Sequence, residues 1–240
     1  MINVKFDVIN LKQQIAIIQS FLSSKNQTSI YIANEFEIDI NLPTKSKNKM
    51  VEEKITKLYN QELQHMQSQV LKFQDIWDKN ASFINQELTK IFGKEYSFEC
   101  KAYVNLNPVF PRYLQTKSFD VNLYAREDII LLSSVHEIVH FVWFELWQKN
   151  FPDIKIEDYE FPNLSWIISE IAIEPIFRFS ALKDLSPDLP AYDYFYTDKI
   201  DNKPIVEIAN NIYQESKDIN EFQNNMYQFF KIKDWHKLIK

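Results

Sequence analysis

The residues with the clearest chemical meaning form the pentapeptide His136-Glu137-Ile138-Val139-His140. Two histidines four residues apart lie one above the other on a single face of a helix, and this spacing suits one Zn²⁺ ion. Glu137 stands one position after the first histidine, so its carboxylate can reach a water molecule on that ion without becoming a ligand. The flanking residues from Ser133 to Val142 are uncharged, which predicts a metal-binding helix buried against a core.

A zinc site of this kind needs a third protein ligand, and the sequence offers two candidates. Glu170 and Glu174 share one face of an apolar segment, where buried carboxylates need a cationic partner. Glu160 is the alternative third ligand. It lies in the acidic stretch 157–160, and Pro162 disfavours a regular helix there. Glu170 therefore ranks first.

Residues 119–180 resemble the gluzincins, the thermolysin-like class of zincin metallopeptidases. The resemblance implies an HExxH helix and a ligand glutamate from a following helix, for which Glu170 is the match. It also implies an acid four residues later that hydrogen-bonds a ligand histidine, here Glu174. An edge strand before the metal helix pairs with substrate in that class, and residues 119–124 are placed like it.

Two comparisons refine this resemblance. Glu160, rather than Glu170, has the histidine-to-glutamate separation of thermolysin itself. The related metzincins place a glycine and a third histidine where this chain has Trp143 and Leu146, so the metzincin pattern is absent.

The function implied is zinc-dependent hydrolysis of a peptide or protein substrate. His136, His140 and Glu170 would hold Zn²⁺, and Glu137 would act as general base. No motif marks a donor for the oxyanion of the transition state. The candidates carry an O–H or N–H group: Tyr194 and His236 first, then Tyr159, Tyr192 and Tyr196.

Two other functions stay open. The protein could be a catalytically inert zincin-fold module that binds or regulates a partner, or a purely helical interaction protein built on residues 49–92. In the second case both histidines would be ordinary core residues. Four aromatic residues of the metal helix are predicted to pack in the core: Phe141, Trp143, Phe144 and Trp147. Three arginines could orient a substrate carboxylate, although an ordinary ion pair is the simpler role: Arg112, Arg126 and Arg178.

Composition excludes several classes of function. The only glycine is Gly93, so glycine-lined phosphate loops are absent. A net charge of −6 opposes binding to nucleic acid. The single cysteine, Cys100, cannot form an internal disulfide and is predicted to be a small buried residue. The lack of a disulfide, together with an N-terminal segment that has no leader pattern, predicts a cytoplasmic protein. The longest apolar run, from Ile129 to Val135, is too short for a membrane span.

The elements around the site follow from hydrophobic periodicity. Strands are predicted at 2–8, 30–40, 97–104 and 119–124. Helices are predicted at 11–22, at 49–92 as one helix or a pair broken at 78–80, from an Asp128 cap to 149, at 163–182 with a kink at Pro175, at 204–216 and at 220–231. The predicted fold class is α+β, a helix-rich zincin-like domain with a small sheet. Its single unit, 1–240, comprises N-terminal strands and a long helix (1–95), the sheet with the two site helices (96–182) and a helical C-terminal part (183–240).

Overall fold

The computed structural model describes residues 1–24, 26–188 and 190–233. The helices are α1 (Leu11–Phe21), α2 (Gln27–Glu35), α3 (Thr44–Phe92), α4 (Glu127–Asn150), α5 (Leu164–Arg178), α6 (Asp193–Thr197), α7 (Ile205–Glu215) and α8 (Ile219–Lys231). The strands are β1 (Ile2–Val8), β2 (Phe98–Asn105), β3 (Arg112–Tyr113), β4 (Ser118–Asn122), β5 (Lys199–Ile200) and β6 (Lys203–Pro204). The chain is therefore helix-rich with a small mixed sheet, which confirms the α+β class.

Within these residues the chain forms two compact units. The sheet unit comprises residues 4–78 and 99–130, and the helical unit comprises residues 1–3, 79–98 and 131–233. Helices α3 and α4 contribute residues to both units. All of the proposed metal ligands belong to the helical unit.

The sheet unit is built on four strands in the order β1-β2-β4-β3. Strands β2 and β4 are parallel, with Lys101 opposite Ser118, and β3 is antiparallel to β4. The alternation of polar and apolar residues that predicts β1 is observed, because Val4 and Phe6 are buried while Lys5 and Asp7 are exposed. The strands predicted at 97–104 and 119–124 are confirmed as β2 and β4 within two residues at their ends.

Strand β4 has a neighbour on each side, so the prediction that residues 119–124 form an edge strand is wrong. Its inner neighbour is β2, and Arg112 and Tyr113 of β3 pair with Phe119 and Ser118 on the other side. The sequence separates β3 from β4 by only a short 3₁₀ turn. A two-residue strand leaves no periodicity from which it could be predicted.

The strand predicted at 30–40 is also wrong, because α2 occupies Gln27–Glu35. The Asn26 side chain accepts a hydrogen bond from the Ser29 backbone N–H and so caps the helix. Buried Ser29, Ile32 and Phe36 then follow at intervals of three and four residues, while Ile30 is 46% exposed. The cap and the helical spacing outweigh the apparent alternation.

Helix α3 runs without interruption from Thr44 to Phe92, so the predicted break at 78–80 is absent. No glycine or proline interrupts the helix, and buried Trp77 and Ile84 continue the same apolar face across the predicted break. Gly93, with φ +68°, ends the helix as predicted.

The core of the helical unit is aromatic. Four α4 residues predicted to pack are at most 4% exposed: Phe141, Trp143, Phe144 and Trp147. Helix α8 closes over them, because the Gln223 side chain donates to the Trp143 carbonyl at 3.0 Å and Phe222 packs edge-on against the Trp143 ring. The C-terminal helices predicted at 204–216 and 220–231 are confirmed as α7 and α8.

By length and composition alone, α4 could cross a membrane, and 67% of its most apolar window is buried in the structure. A core helix of a folded protein passes the same test, so this is weak evidence. The prediction of no membrane span rests on the apolar run from Ile129 to Val135, which Ser133 and Ser134 interrupt. It stays a prediction.

Candidate metal centre

Helix α4 carries both histidines and Glu137, and all three side chains are largely buried. The helix begins at Glu127, so Asp128 lies in its first turn rather than at the cap. The His140 side chain is fully buried, the His136 side chain is 18% exposed, and Glu137 is 6% exposed. The pentapeptide and its uncharged flanking residues are therefore largely buried in the core, as the sequence predicts.

Helix α5 supplies the third donor. It begins at Leu164 after Asn163, as predicted, and ends at Arg178 rather than near 182, because a 3₁₀ segment, Ala181–Leu185, follows. Pro175 lies inside the helix. Residues Ser165 to Phe177 are buried with the exception of Trp166, which is half-buried. Glu170, at 2% exposed, therefore places a carboxylate where water cannot solvate it.

Three donor atoms converge between these helices. His136 Nε2 lies 3.0 Å from His140 Nε2 and 3.3 Å from Glu170 Oε2, and His140 Nε2 lies 3.4 Å from Glu170 Oε1. Ligands placed about 2.0 to 2.2 Å from a tetrahedral Zn²⁺ ion are about 3.3 to 3.6 Å apart. The two nitrogen-to-carboxylate distances lie in this range, and the distance of 3.0 Å between the two Nε2 atoms is slightly below it. The three side chains can therefore hold one ion, and two imidazoles with one carboxylate are a donor set that zinc accepts.

A backbone carbonyl fixes the orientation of the first histidine. The Pro190 carbonyl oxygen lies 3.0 Å from His136 Nδ1. Because a carbonyl can only accept, Nδ1 carries the proton, and the lone pair of Nε2 in the neutral ring points at the other donors. Hydrogen bonds of this kind hold metal-binding histidines in many proteins.

Glu174 does not fill the role predicted for it. Its carboxylate accepts hydrogen bonds from Arg178 and from the Tyr196 hydroxyl, and neither ligand histidine contacts it. The prediction that Glu174 hydrogen-bonds a ligand histidine is therefore wrong. The Pro190 carbonyl takes that place for His136, whereas Glu174 lies one helical turn beyond Glu170.

Glu160, the alternative third ligand, is not part of the donor cluster. It ends the 3₁₀ segment Ile156–Tyr159 with an extended backbone, φ −111° and ψ 158°. The described residues that can hold one ion together are His136, His140 and Glu170. The order in which the sequence ranks the two glutamates agrees with this geometry.

Tyr194, a leading candidate for the oxyanion donor, lies close enough to Glu170 for that carboxylate to affect its pKa. Burial raises its pKa, and the carboxylates of Glu170 and Asp198 raise that pKa further. Its ring stacks on exposed Tyr192 at 5.5 Å. His236, the other leading candidate, lies outside the described residues.

The remaining tyrosine candidates have other contacts. The Tyr196 hydroxyl donates to Glu174. The Tyr159 hydroxyl donates to Gln148 at 2.7 Å, and its ring stacks on Phe144. Tyr194 differs from these two residues in that the charge of the proposed ligand Glu170 acts on its hydroxyl.

The three arginines occupy different surroundings. Arg178 pairs with Glu174, Arg126 pairs with Asp128 at 2.9 Å, and Arg112 lies on β3. Cys100 is fully buried in the sheet unit, and burial raises its pKa to about 12, as expected of an inert core thiol.

The sequence names tyrosines of the segment from Pro190 to Thr197 as candidates but does not predict two of its contacts, those of the Pro190 carbonyl with His136 and of Tyr196 with Glu174. The Pro190 carbonyl accepts a hydrogen bond from His136, and the Tyr196 hydroxyl donates to Glu174. The Glu170 carboxylate raises the pKa of Tyr194 in the same segment. The available signal was the density of tyrosines directly after a proline-rich loop, but no spacing rule links those residues to the histidines.

No family model, curated protein or solved structure matches this chain. The resemblance to gluzincins therefore rests on the residues of the chain itself.

Proposed function

We propose that the protein is a zinc-dependent peptide hydrolase of the gluzincin type. The observation that carries this proposal is the convergence of His136, His140 and Glu170, whose donor atoms lie 3.0 to 3.4 Å apart. These three residues would hold Zn²⁺ and leave one tetrahedral position open, which is the arrangement of catalytic rather than structural zinc sites.

Zinc bound there would polarise a carbonyl group and lower the pKa of a water molecule toward neutrality. Glu137 directly follows His136 on α4 and is buried. As general base it would take a proton from that water molecule and deliver it to the leaving amine. Tyr194 would donate its O–H to the developing oxyanion, because a tyrosine hydroxyl with a pKa of about 10 is protonated at neutral pH.

The surroundings of the cluster support chemistry rather than a purely structural role for the histidines. Two histidines packed in a core need hydrogen-bond partners, but they do not need a buried carboxylate at 3.3 to 3.4 Å from both rings. The partial exposure of His136 gives a ligand or water molecule a route to the cluster. A net charge of −6 favours a peptide over a nucleic acid as substrate.

Metal analysis and a Glu137→Gln variant test the proposal together. Protein purified without added metal and then dialysed against zinc should retain about one zinc per chain. Glu137→Gln should retain the same zinc but lose at least about 100-fold of the hydrolysis of a peptide library, since general base catalysis contributes about 10²- to 10⁴-fold.

The outcomes separate the alternatives. Zinc without turnover in the parent protein would support an inert zincin-fold binding module. A chain that cannot be loaded with zinc would support a helical interaction protein. Equal turnover in the parent and in Glu137→Gln would remove Glu137 from the mechanism.

A further inference from the structure

A pocket of about 320 Å³ lies in the helical unit next to the donor cluster. Leu132 lines it and precedes His136 by four residues on α4, and Glu174 lines it and follows Glu170 by four residues on α5. Pro190, which holds His136, also lines it. The pocket is therefore about one helical turn, roughly 6 Å, from the metal ligands along both helices.

One side of this pocket carries an arginine that is held in place by a buried acid. Glu174 is 1% exposed, and its two oxygens are both engaged: Oε1 accepts from Nε and Nη2 of Arg178, and Oε2 accepts from the Tyr196 hydroxyl. The Arg178 side chain is 50% exposed. A surface ion pair of two flexible groups would not fix the guanidinium in this way.

The guanidinium of Arg178 still has donors to offer. Across the part of the chain that the structure describes, its hydrogen bonds go to Glu174 alone and use Nε and one side of Nη2. An arginine has five N–H donors, so the edge formed by Nη1 and Nη2 remains for a second ligand. That edge matches the two oxygens of a carboxylate.

The rest of the pocket suits an acid on an apolar stem. Buried Leu132 and Phe177 supply apolar walls, and exposed Lys183 adds a positive charge. Asp184 and Asp188 also line it, but both are exposed, so water and salt screen their charges. The fixed fork of Arg178 is the group with the geometry to select a ligand.

We propose that Arg178 is a specificity-determining residue that binds a carboxylate of the peptide substrate beside the metal centre. This proposal rests on the proposed function for the identity of the substrate. Arg178 follows Glu170 by two helical turns, about 12 Å, and its side chain reaches back to Glu174, one turn away. A separation of about 6 to 12 Å spans about two to four residues of extended peptide. The carboxylate is therefore the C-terminus of a short peptide or the side chain of Asp or Glu near the cleaved bond.

Binding, rather than turnover, provides the test. Zinc-loaded Glu137→Gln protein is incubated with randomised peptides of about six residues, and retained peptides are quantified by mass spectrometry after ultrafiltration. Four forms of the library distinguish the source of the carboxylate. Two forms contain no acidic residue and end either in a free C-terminus or in a C-terminal amide. The other two end in an amide and carry either one Glu or one Gln at a fixed position. At least one acidic form should be retained about tenfold more than its neutral counterpart.

Variants then assign that preference to Arg178. Arg178→Lys keeps the charge but loses the fork, and the double variant Glu174→Gln with Arg178→Gln removes the fork without leaving a buried charge unpaired. Both should reduce the tenfold preference to about twofold or less while zinc content stays at the parent level. Lys199→Gln, which removes an exposed positive charge from the same unit, should leave the preference unchanged.

The two proposals fail in different ways. Acid preference that depends on Arg178, in a protein that cleaves no peptide, supports the role of Arg178 and overturns the peptidase function. Peptide cleavage with no acid preference overturns the role of Arg178 alone. Acid preference that survives in both Arg178 variants also overturns it, because the carboxylate would then be binding the metal directly.

Discussion

His136 is held on both sides of its ring. The Pro190 carbonyl accepts from Nδ1 at 3.0 Å, and Nε2 faces the His140 and Glu170 donors. The contact with the Pro190 carbonyl favours the neutral tautomer that carries its proton on Nδ1, which leaves the lone pair of Nε2 for a metal ion. Glu174, Tyr196 and Arg178 form a second hydrogen-bonded set, and Glu174 and Arg178 of this set line the neighbouring pocket.

Substitution of Glu170 and of Glu160 should show, through zinc affinity, which glutamate is the third ligand. Glu170→Ala and Glu170→Gln should each lower zinc affinity more than about 100-fold, because loss of a group that only orients a ligand already costs about 10- to 100-fold. Glu160→Ala should change affinity less than about threefold, since it is outside the donor cluster. Titration against a chromophoric chelator measures all three. Loss of affinity in Glu160→Ala with retention in both Glu170 variants would reverse the ligand assignment.

At the scale of elements, the positions of the longer helices follow from local sequence, but the position of α2 and the pairing of the strands do not. Helix α4 is predictable from its apolar flanks, and α5 from Asn163 and the apolar residues that follow. Strand β3 is two residues long, and α2 imitates a strand over its first apolar residues. Where the hydrophobic periodicity is short or ambiguous, helix caps and burial against other elements decide the secondary structure.

Strand β4 carries a buried acid that should make the stability of the sheet unit depend on pH. Asp120 is fully buried, and burial raises its pKa to about 7 against the opposing effect of hydrogen bonds from Asn107, Asn105 and Tyr113. Because its pKa is higher in the folded state, the native protein binds more protons than the unfolded chain between about pH 4 and pH 7. This contribution is fully present below about pH 4 and is lost as the pH rises through about 7.

Asp120→Asn should remove that dependence. Between about pH 5 and pH 8 the parent should lose on the order of a few kcal/mol of unfolding free energy relative to the variant, at ~1.4 kcal/mol for each unit of pKa shift. Urea unfolding of the metal-free proteins, followed by circular dichroism, measures the difference. Asp7→Asn, an exposed acid of the same unit, should follow the parent. Parallel pH profiles for the parent and Asp120→Asn would contradict the expectation.

At the scale of the whole molecule, the two compact units should respond differently to metal. His136, His140 and Glu170 all lie in the helical unit, so binding energy is coupled to the folding of the elements that carry them. Zinc should therefore slow amide hydrogen exchange in α4 and α5 at least about tenfold relative to protein with a chelator. Exchange in β1 and α1 of the sheet unit should change much less.

Hydrogen exchange resolved by mass spectrometry makes this comparison in one experiment. His140→Ala is the matched control, since it should abolish the zinc-dependent protection of α4 and α5 without changing exchange in β1. Zinc-dependent protection of equal size in both units, or protection that survives in His140→Ala, would contradict a single metal site in the helical unit.

The amino-acid sequence by itself determines the features that depend on residues close together in the chain. The spacing of His136 and His140 is set by the helical repeat, and the preference for Glu170 over Glu160 follows from apolar neighbours and from Pro162. The tertiary structure decides which distant groups meet: Pro190 reaches His136 across 54 residues, and Tyr196 reaches Glu174 across 22. Such contacts depend on how loops return to the core, and no local period or propensity encodes that path.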